Sequence, residues 1–373
     1  MLEIKNVGWA VGSFCNANCK HCYSKDVRTG GQPLLASDVI KILDKLINIK
    51  ISSINLGGNE PIFTHGSNAE DTLLPFIIAE IKKRGILVGI TTNGTSLLLL
   101  NKLYPKEFNM VDDWDISLDS PFPHEHNNNR EKNLFNVAEK ALKLAEKLNK
   151  KHSVIYCLMN WNCTPKHAKA LSKITRKYNA DLRINLLKPI NDSLVKMQPS
   201  YNQIHNFFLC LDDFFKVKHS NDIATLTPKS NVVHNCPCGK YSFSISAKKV
   251  DGTIPITPCV YMQKMSIGNI LEDNLQDIFR SPLFMLYQTH KIGDKSRCYE
   301  FECKYINECL GGCLSYAILT GQKDSIDPRC PLLNHNIFEC FFEKSEQMPE
   351  DHVHSNYLCT WIGENCIEYS KTK

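Results

Sequence analysis

The chain has 373 residues, 43% hydrophobic and 22% charged, with 44 Lys and Arg against 39 Asp and Glu for a net charge of +5. That length calls for two domains, or one large domain with an extension, and the composition excludes pervasive disorder. No dense basic block with interleaved aromatics points to nucleic acid, no run of about 18 uncharged apolar residues is there to span a membrane, and the N-terminus is too short and polar for a secretory signal. A cytoplasmic protein with neither nucleic-acid nor membrane partners is expected.

Read in chain order, the first half alternates two kinds of segment. Strand-like runs fall at Val7–Val11, Ile51–Leu56, Leu87–Thr92, Trp114–Leu118, Ser153–Asn160 and Leu182–Leu187, each short, rich in apolar residues and bounded by turn formers. Helical patterns follow them at Leu34–Ile49, Asp71–Lys83, Ser96–Leu103, Leu134–Lys150, Pro165–Tyr178 and Tyr201–Phe215; the first places Val39, Ile40, Ile42, Leu43, Leu46 and Ile47 on one face. Six such pairs imply a parallel sheet, because a helical crossover joins parallel strands. The expected fold is α/β, a partial (β/α)6 barrel over residues 1–216, with functional groups where strands end and loops begin. A polar stretch, 217–232, reads as a linker. A cysteine-rich region follows over 233–340, and a polar, aromatic tail over 341–373 has no clear period.

The cysteines are the abnormal feature. There are 17, an odd number, in a chain with no export signal. In a reducing compartment so many thiols read as metal ligands, and thiolates suit iron–sulfur clusters or zinc. Cys15, Cys19 and Cys22 share one loop after the first strand, with gaps of three and two residues. Three thiolates can hold three irons of a four-iron cubane and leave the fourth open to a small molecule. The competing reading, a zinc knuckle, needs a fourth protein ligand that no near neighbour supplies.

This Cys-x3-Cys-x2-Cys loop resembles that of the radical S-adenosylmethionine (SAM) enzymes. The resemblance implies that the open iron binds SAM, whose cleavage yields a 5′-deoxyadenosyl radical that removes a hydrogen atom from substrate, and that His21 lies near the adenine. Gly57-Gly58-Asn59-Glu60-Pro61, after the second strand, is similar to the family's Gly-Gly-Glu segment for the methionine amino group, with Asn59 inserted before the acid. Ser117 and Asp119 on strand four, Asn160 after strand five, Leu186 on strand six and Thr92 on strand three are the further cofactor-contact candidates; each could equally cap a strand or turn.

Eight later cysteines suffice for two fully ligated four-iron clusters, although spacing alone would also admit zinc. The run Cys303-x5-Cys309-x3-Cys313, then Cys330, resembles the SPASM domain of radical enzymes that act on peptides and proteins. That resemblance assigns Cys236, Cys238, Cys259 and Cys313 to a nearer cluster and Cys298, Cys303, Cys309 and Cys330 to a farther one. Two gaps depart from the pattern: four residues separate Cys298 from Cys303 instead of two, and six residues separate Gly252 from Cys259 instead of four. Of the remaining thiols, Cys157 and Cys210 read as small buried hydrophobes, Cys163 as a residue near the barrel mouth, and Cys340 as a possible substitute ligand.

The opening GWAVG segment, the cysteine loop and the GGNEPIFTHG run are similar to maturases of precursor peptides with nitrile-hydratase-type leaders. The resemblance implies three four-iron clusters, SAM, a precursor peptide substrate and an external electron donor such as flavodoxin or ferredoxin. With 14 residues before Cys15, leader recognition is expected from a separate partner protein. The leading specific expectation is a splicease, which excises a tyramine unit and leaves an α-keto-β-amino acid. Epimerisation, thioether or cyclophane formation and activation of a protein such as a sulfatase share the same first step; the rival of a different class is a non-enzymatic metal-binding adaptor.

Overall fold

The computed structural model of the chain describes residues 4–25, 28, 30–291, 296–322, 327–336, 339–343, 353 and 360–365. Six strands, β1 (Asn6–Ala10), β2 (Ser53–Gly57), β3 (Leu87–Thr92), β4 (Asp113–Ser117), β5 (His152–Leu158) and β6 (Asp181–Leu186), pair in parallel and in chain order. The crossovers carry α1 (Ala36–Asn48), α2 (Leu74–Lys83), α3 (Thr95–Leu103), α4 (Pro105–Met110), α5 (Pro123–Arg130), α6 (Phe135–Lys147) and α7 (Pro165–Lys177), and α8 (Asp192–Val195) and α9 (Tyr201–Leu211) follow β6. Helices cover the strands, so their residues are almost all buried, including Asp113, Asp115 and the Arg183 that pairs with both. Val7, Trp9, Ile54, Leu56, Val88, Ile90, Trp114 and Ile116 are all buried in one core with the apolar stripes of α1, α2, α3 and α6. Fully burying each Val, Ile or Leu contributes about 1.5–3 kcal/mol.

The parallel strands do not close into a ring. β9 (Ser242–Ile245) joins β1 in parallel and β10 (Ile256–Thr257) joins β9 antiparallel. At the other edge β12 (Trp361–Asn365) lies antiparallel to β6, and β7 (Phe215–Ser220) antiparallel to β12. The sheet order is therefore β10-β9-β1-β2-β3-β4-β5-β6-β12-β7, an open partial barrel extended on both sides. β8 (Val232–His234) and β11 (Phe341–Glu343) form a separate parallel pair.

Two expectations are corrected here. The stretch read as a linker holds most of β7 and then a buried 3-10 turn at Ile223–Thr225. Its exposed Lys216 and Lys218 alternate with Val217 and His219, so a strand with one wet face resembled a polar connector. The tail, in which no period was read, supplies a strand to the sheet: Trp361 is buried between β6 and β7. A Cβ on Gly363 would stand 2.4 Å from the Trp361 ring, which explains a glycine inside this strand. Cys359, Cys366, His352 and His354 lie outside the described residues.

The cysteine-rich region adds short helices: α10 (Leu275–Phe279), α11 (Pro282–Thr289), α12 (Arg297–Glu300), α13 (Ile306–Cys309) and α14 (Leu314–Leu319). A buried charge network ties it to the barrel. Lys188, just past β6, meets Asp222 at 3.0 Å, and Asp222 meets Arg329 at 3.4 Å, while Arg329 also pairs with Asp327 at 2.6 Å. Burial opposes ionisation of Asp222, but the Arg329 and Lys188 cations override it and hold its carboxyl well below the usual carboxylate range. Among the described residues no helix is long and apolar enough to cross a membrane.

Candidate active site

The loop after β1 carries Cys15, Cys19 and Cys22, and its asparagines pin it. Asn16 donates to Thr95 Oγ1 at 3.0 Å and accepts from Asn93 at 2.7 Å; Asn18 donates to Glu131 at 2.6 Å. The amides of Asn18 and Lys20 donate to the carbonyls of Arg130 and Asn129 at the end of α5. The three thiols gather with Ala17, Leu134 and Val137 in one small cluster. Burial pushes the Cys15 thiol up to about 12, with the nearby Glu60 charge adding to it. Burial also raises Cys19, against the pull of Arg130. Arg28 donates to Cys22 Sγ and to the Ala17 carbonyl. Three soft donors on one loop, with two guanidiniums beside them, fit an anionic iron–sulfur cluster that has three protein ligands.

A cavity of about 740 Å³ is lined from the carboxyl-side halves of the strands: Asn55 and Gly57 of β2, Thr91 of β3, Ser117 of β4, Ile155 and Cys157 of β5, Asn185 and Leu186 of β6. His21, Tyr23, Gly58, Asp119, Arg130 and Lys188 complete the barrel side. Tyr261 reaches in from the cysteine-rich region and meets the Tyr23 ring edge-on at 5.3 Å. A side-chain pocket at the strand ends, capped from a second unit, is where such folds bind ligands.

Asp119 is the electrostatic centre. It is 1% exposed and receives Arg130 Nε at 2.7 Å and Nη2 at 2.9 Å, with Asn129 at 3.0 Å. Burial opposes its charge, but the Arg130 guanidinium overrides that and holds the carboxyl well below the usual range. Asn129 donates to His21 Nδ1 at 2.9 Å, which leaves the proton on Nε2, 3.6 Å from Asp119. Burial lowers His21, so it stands as a neutral imidazole beside the cavity.

The glycine pair lies on the cavity wall, and the acid beside it does not. Gly58 has φ +86, and a Cβ there would stand 2.7 Å from that of Ala10, so only glycine fits. Ser24 donates to its carbonyl. Asn59 turns away, donating to the Gly12 carbonyl at 2.7 Å. Glu60 is buried behind the wall, where it accepts from Thr92 Oγ1, the amides of Asn93 and Ser96, each at 2.8 Å, and Ser96 Oγ. The carboxylate thereby fastens the strand-two turn to the start of α3.

Of the other candidates, His21, Ser117, Asp119 and Leu186 line the cavity, and Thr92 faces Glu60. Asn160 lies outside the lining and donates to the Lys196 carbonyl at 2.9 Å. Two residues on, Asn162 is fully buried and donates to the carbonyls of Asp119 and Cys157 at 2.8 and 2.9 Å. Cys163 sits in the apolar core rather than at the mouth, and Cys157 is the thiol on the cavity wall. The sequence reading missed Arg130 and Asn129, because α5 (PHEHNNNR) has no apolar stripe to announce a helix. Asn185 did leave a signal: an amide between Ile184 and Leu186 near the end of β6.

Cys238 and Cys259 pack together with Cys236, which also touches Cys313. Cys298, Cys303, Cys309, Cys330 and Cys340 line one cavity of about 470 Å³. Donor sets of four or more thiols around each site fit further iron–sulfur clusters.

Comparison with known proteins agrees with this layout. The Radical SAM superfamily model matches residues 9–162, and the SPASM model, an iron–sulfur cluster-binding domain, matches residues 236–309. The chain is 25% identical over 344 residues to mycofactocin maturase MftC of Mycolicibacterium smegmatis, covering 86% of this chain and 81% of that one. It is 25% identical over 307 residues to the subtilosin biosynthesis protein AlbA of Bacillus subtilis, covering 80% and 64%. SuiB of Streptococcus suis, solved bound to S-adenosylmethionine, shares the fold with a TM-score of 0.67 at 14% identity, over 88% of this chain and 78% of that one. Radical SAM domains require SAM and a four-iron cluster, and SPASM domains bind iron–sulfur clusters. The chain is a radical SAM enzyme that also carries a SPASM domain.

Proposed function

We propose that this enzyme matures a ribosomally made peptide by removing a hydrogen atom from it, within the cavity between the barrel strands and Tyr261. The observation that carries this reading is that one cavity joins the walls beside the three-thiol loop to an unsatisfied recognition group. Asn185 is 8% exposed, and its Oδ1 has no hydrogen-bond partner among the described residues. An unpaired buried acceptor costs about 1–3 kcal/mol, which a peptide N–H entering the cavity would relieve. Two curated relatives, a mycofactocin maturase and a bacteriocin biosynthesis protein, and a structure of SuiB with its precursor peptide SuiA support a peptide substrate.

Cys15, Cys19 and Cys22 would hold the four-iron cluster that binds SAM. When bound, these groups supply the 5′-deoxyadenosyl radical that takes the hydrogen. The chain's own residues do the rest. Gly57 and Gly58 let a ligand approach the backbone closely; His21, Ser117 and Leu186 line the cofactor side. Asp119 and Arg130 fix the cysteine loop through Asn129 and the end of α5. Cys236, Cys238, Cys259 and Cys313, and the thiols around Cys303, would hold two auxiliary clusters, for three in all, with an external one-electron donor feeding them. The finer reading, carried by the likeness of the opening loop and the GGNEPIFTHG run, is excision of tyramine from an X-Tyr-Gly site.

The test is anaerobic. Reconstituted enzyme is assayed for iron and sulfide, given SAM and a reductant, and analysed for 5′-deoxyadenosine. About twelve irons per chain and formation of 5′-deoxyadenosine are expected. Candidate precursor peptides are then examined by mass spectrometry. Loss of a tyramine unit supports the splicease; loss of two hydrogens, or solvent deuterium incorporation without a mass loss, replaces it with cross-linking or epimerisation. Absence of 5′-deoxyadenosine from fully iron-loaded enzyme refutes the radical mechanism.

A further inference from the structure

Nine described cysteines lie at the auxiliary sites, where two fully ligated four-iron clusters use eight. The surplus is local. Cys298, Cys303, Cys309, Cys330 and Cys340 all line the same cavity, and a cubane takes four thiolates. Cys340 does not reach it from a loose tail. Its amide donates to Tyr305 Oη at 3.1 Å, and the Tyr305 ring packs against Phe342 at 5.2 Å. The next residue opens β11, where Phe341 pairs with Val232 of β8 and donates to the Asn231 carbonyl at 2.9 Å. Cys340 is 3% exposed and Cys298 is 4% exposed, so both thiols point inward. The two thiols therefore line the cavity that Cys303 and Cys330 also line, one from α12 and one from the residue before β11.

We propose that Cys340 is a ligand-competent thiol of the farther auxiliary site, interchangeable with Cys298 as the fourth thiolate beside Cys303, Cys309 and Cys330. The inference rests on the reading that the cysteine-rich region holds two four-iron clusters. Exchange moves no electrons. With a cluster bound, the Cys340 sulfur would bond to iron as the Cys298–iron bond broke, the incoming thiol releasing its proton and the outgoing thiolate taking one up. The longer Cys298-to-Cys303 spacing, which departs from the SPASM pattern, is thus accompanied by a second thiol in the same cavity.

The experiment is an iron and sulfide count, with electron paramagnetic resonance of the reduced protein, on the full chain and its variants. The unsubstituted protein, Cys298→Ala and Cys340→Ala should each hold about twelve irons, and Cys298→Ala/Cys340→Ala about eight. Cys298→Ala/Cys340→Ser should keep the cluster with a shifted signal, because oxygen replaces sulfur at one iron. That variant decides the matter if the double alanine variant fails to fold. A loss of about four irons from either single alanine variant overturns the exchange, as does a double alanine variant that keeps all twelve. An unsubstituted protein with only about eight irons removes the site itself, so failure of the cluster reading is distinguished from failure of the ligand assignment.

Discussion

Replacing Arg130 with Met should destabilise the barrel by breaking a buried charge pair. The substitution removes both guanidinium bonds to Asp119, at 2.7 and 2.9 Å, and leaves a carboxylate that is 1% exposed with Asn129 at 3.0 Å and His21 at 3.6 Å. Removing one partner of such a buried pair costs about 3–5 kcal/mol, a hundred-fold or more in the unfolding equilibrium. Unfolding midpoints read from the fluorescence of the buried Trp9 and Trp114 measure it. The pH dependence has a definite sign. In the unsubstituted protein Asp119 is held below the usual carboxylate range, so the stability from pairing is fully present above the unfolded carboxyl's pKa and is lost only as pH falls below it. In Arg130→Met, burial acts without its counter-charge and raises the Asp119 pKa, so the deficit should shrink as pH falls. Asp119→Asn/Arg130→Met, which removes both charges of the pair, should recover part of the loss. A deficit below about 1 kcal/mol for Arg130→Met, or a double variant no more stable than the single, would refute the argument.

Three further outcomes follow from the same geometry. Glu60→Gln should cost about 1–3 kcal/mol, because the amide nitrogen would face the Asn93 N–H that the carboxylate now accepts; unchanged stability with lost SAM affinity, measured by equilibrium dialysis, would instead make Glu60 a direct ligand contact. Gly58→Ala should weaken SAM binding at least ten-fold, since φ +86 costs about 1–2 kcal/mol for an alanine and its Cβ would press on Ala10. Asn185→Leu should raise the peptide KM while leaving 5′-deoxyadenosine formation without peptide intact; an unchanged KM removes Asn185 from substrate recognition.

Much of the barrel was legible because local signals and tertiary demands agree there. β3 has the same bounds in sequence and structure, and β1, β2, β4, β5 and β6 differ by a few residues at their ends. The cysteine loop was legible for a chemical reason: its three ligands sit within eight residues, so spacing alone carries the constraint. α5 was not, because a polar helix held by Pro123 at its start and by Asn127 Oδ1 accepting from Leu134 and Phe135 has no period to read. Glu60 shows the limit at a single residue, since sequence places the acid beside the glycines but says nothing of which way it turns.

Sequence by itself determined the alternation of strands and helices, the place of the cysteine loop after the first strand, and a second, thiol-rich unit. Each depends on neighbours within a turn, a strand or a short loop. Tertiary structure decided what depends on distant partners: Trp361 entering the sheet between β6 and β7, the Lys188–Asp222–Arg329–Asp327 network, and Cys340 beside Cys303 and Cys330. Residues far apart in the chain meet only when burial and pairing bring them together, and no local pattern records the meeting.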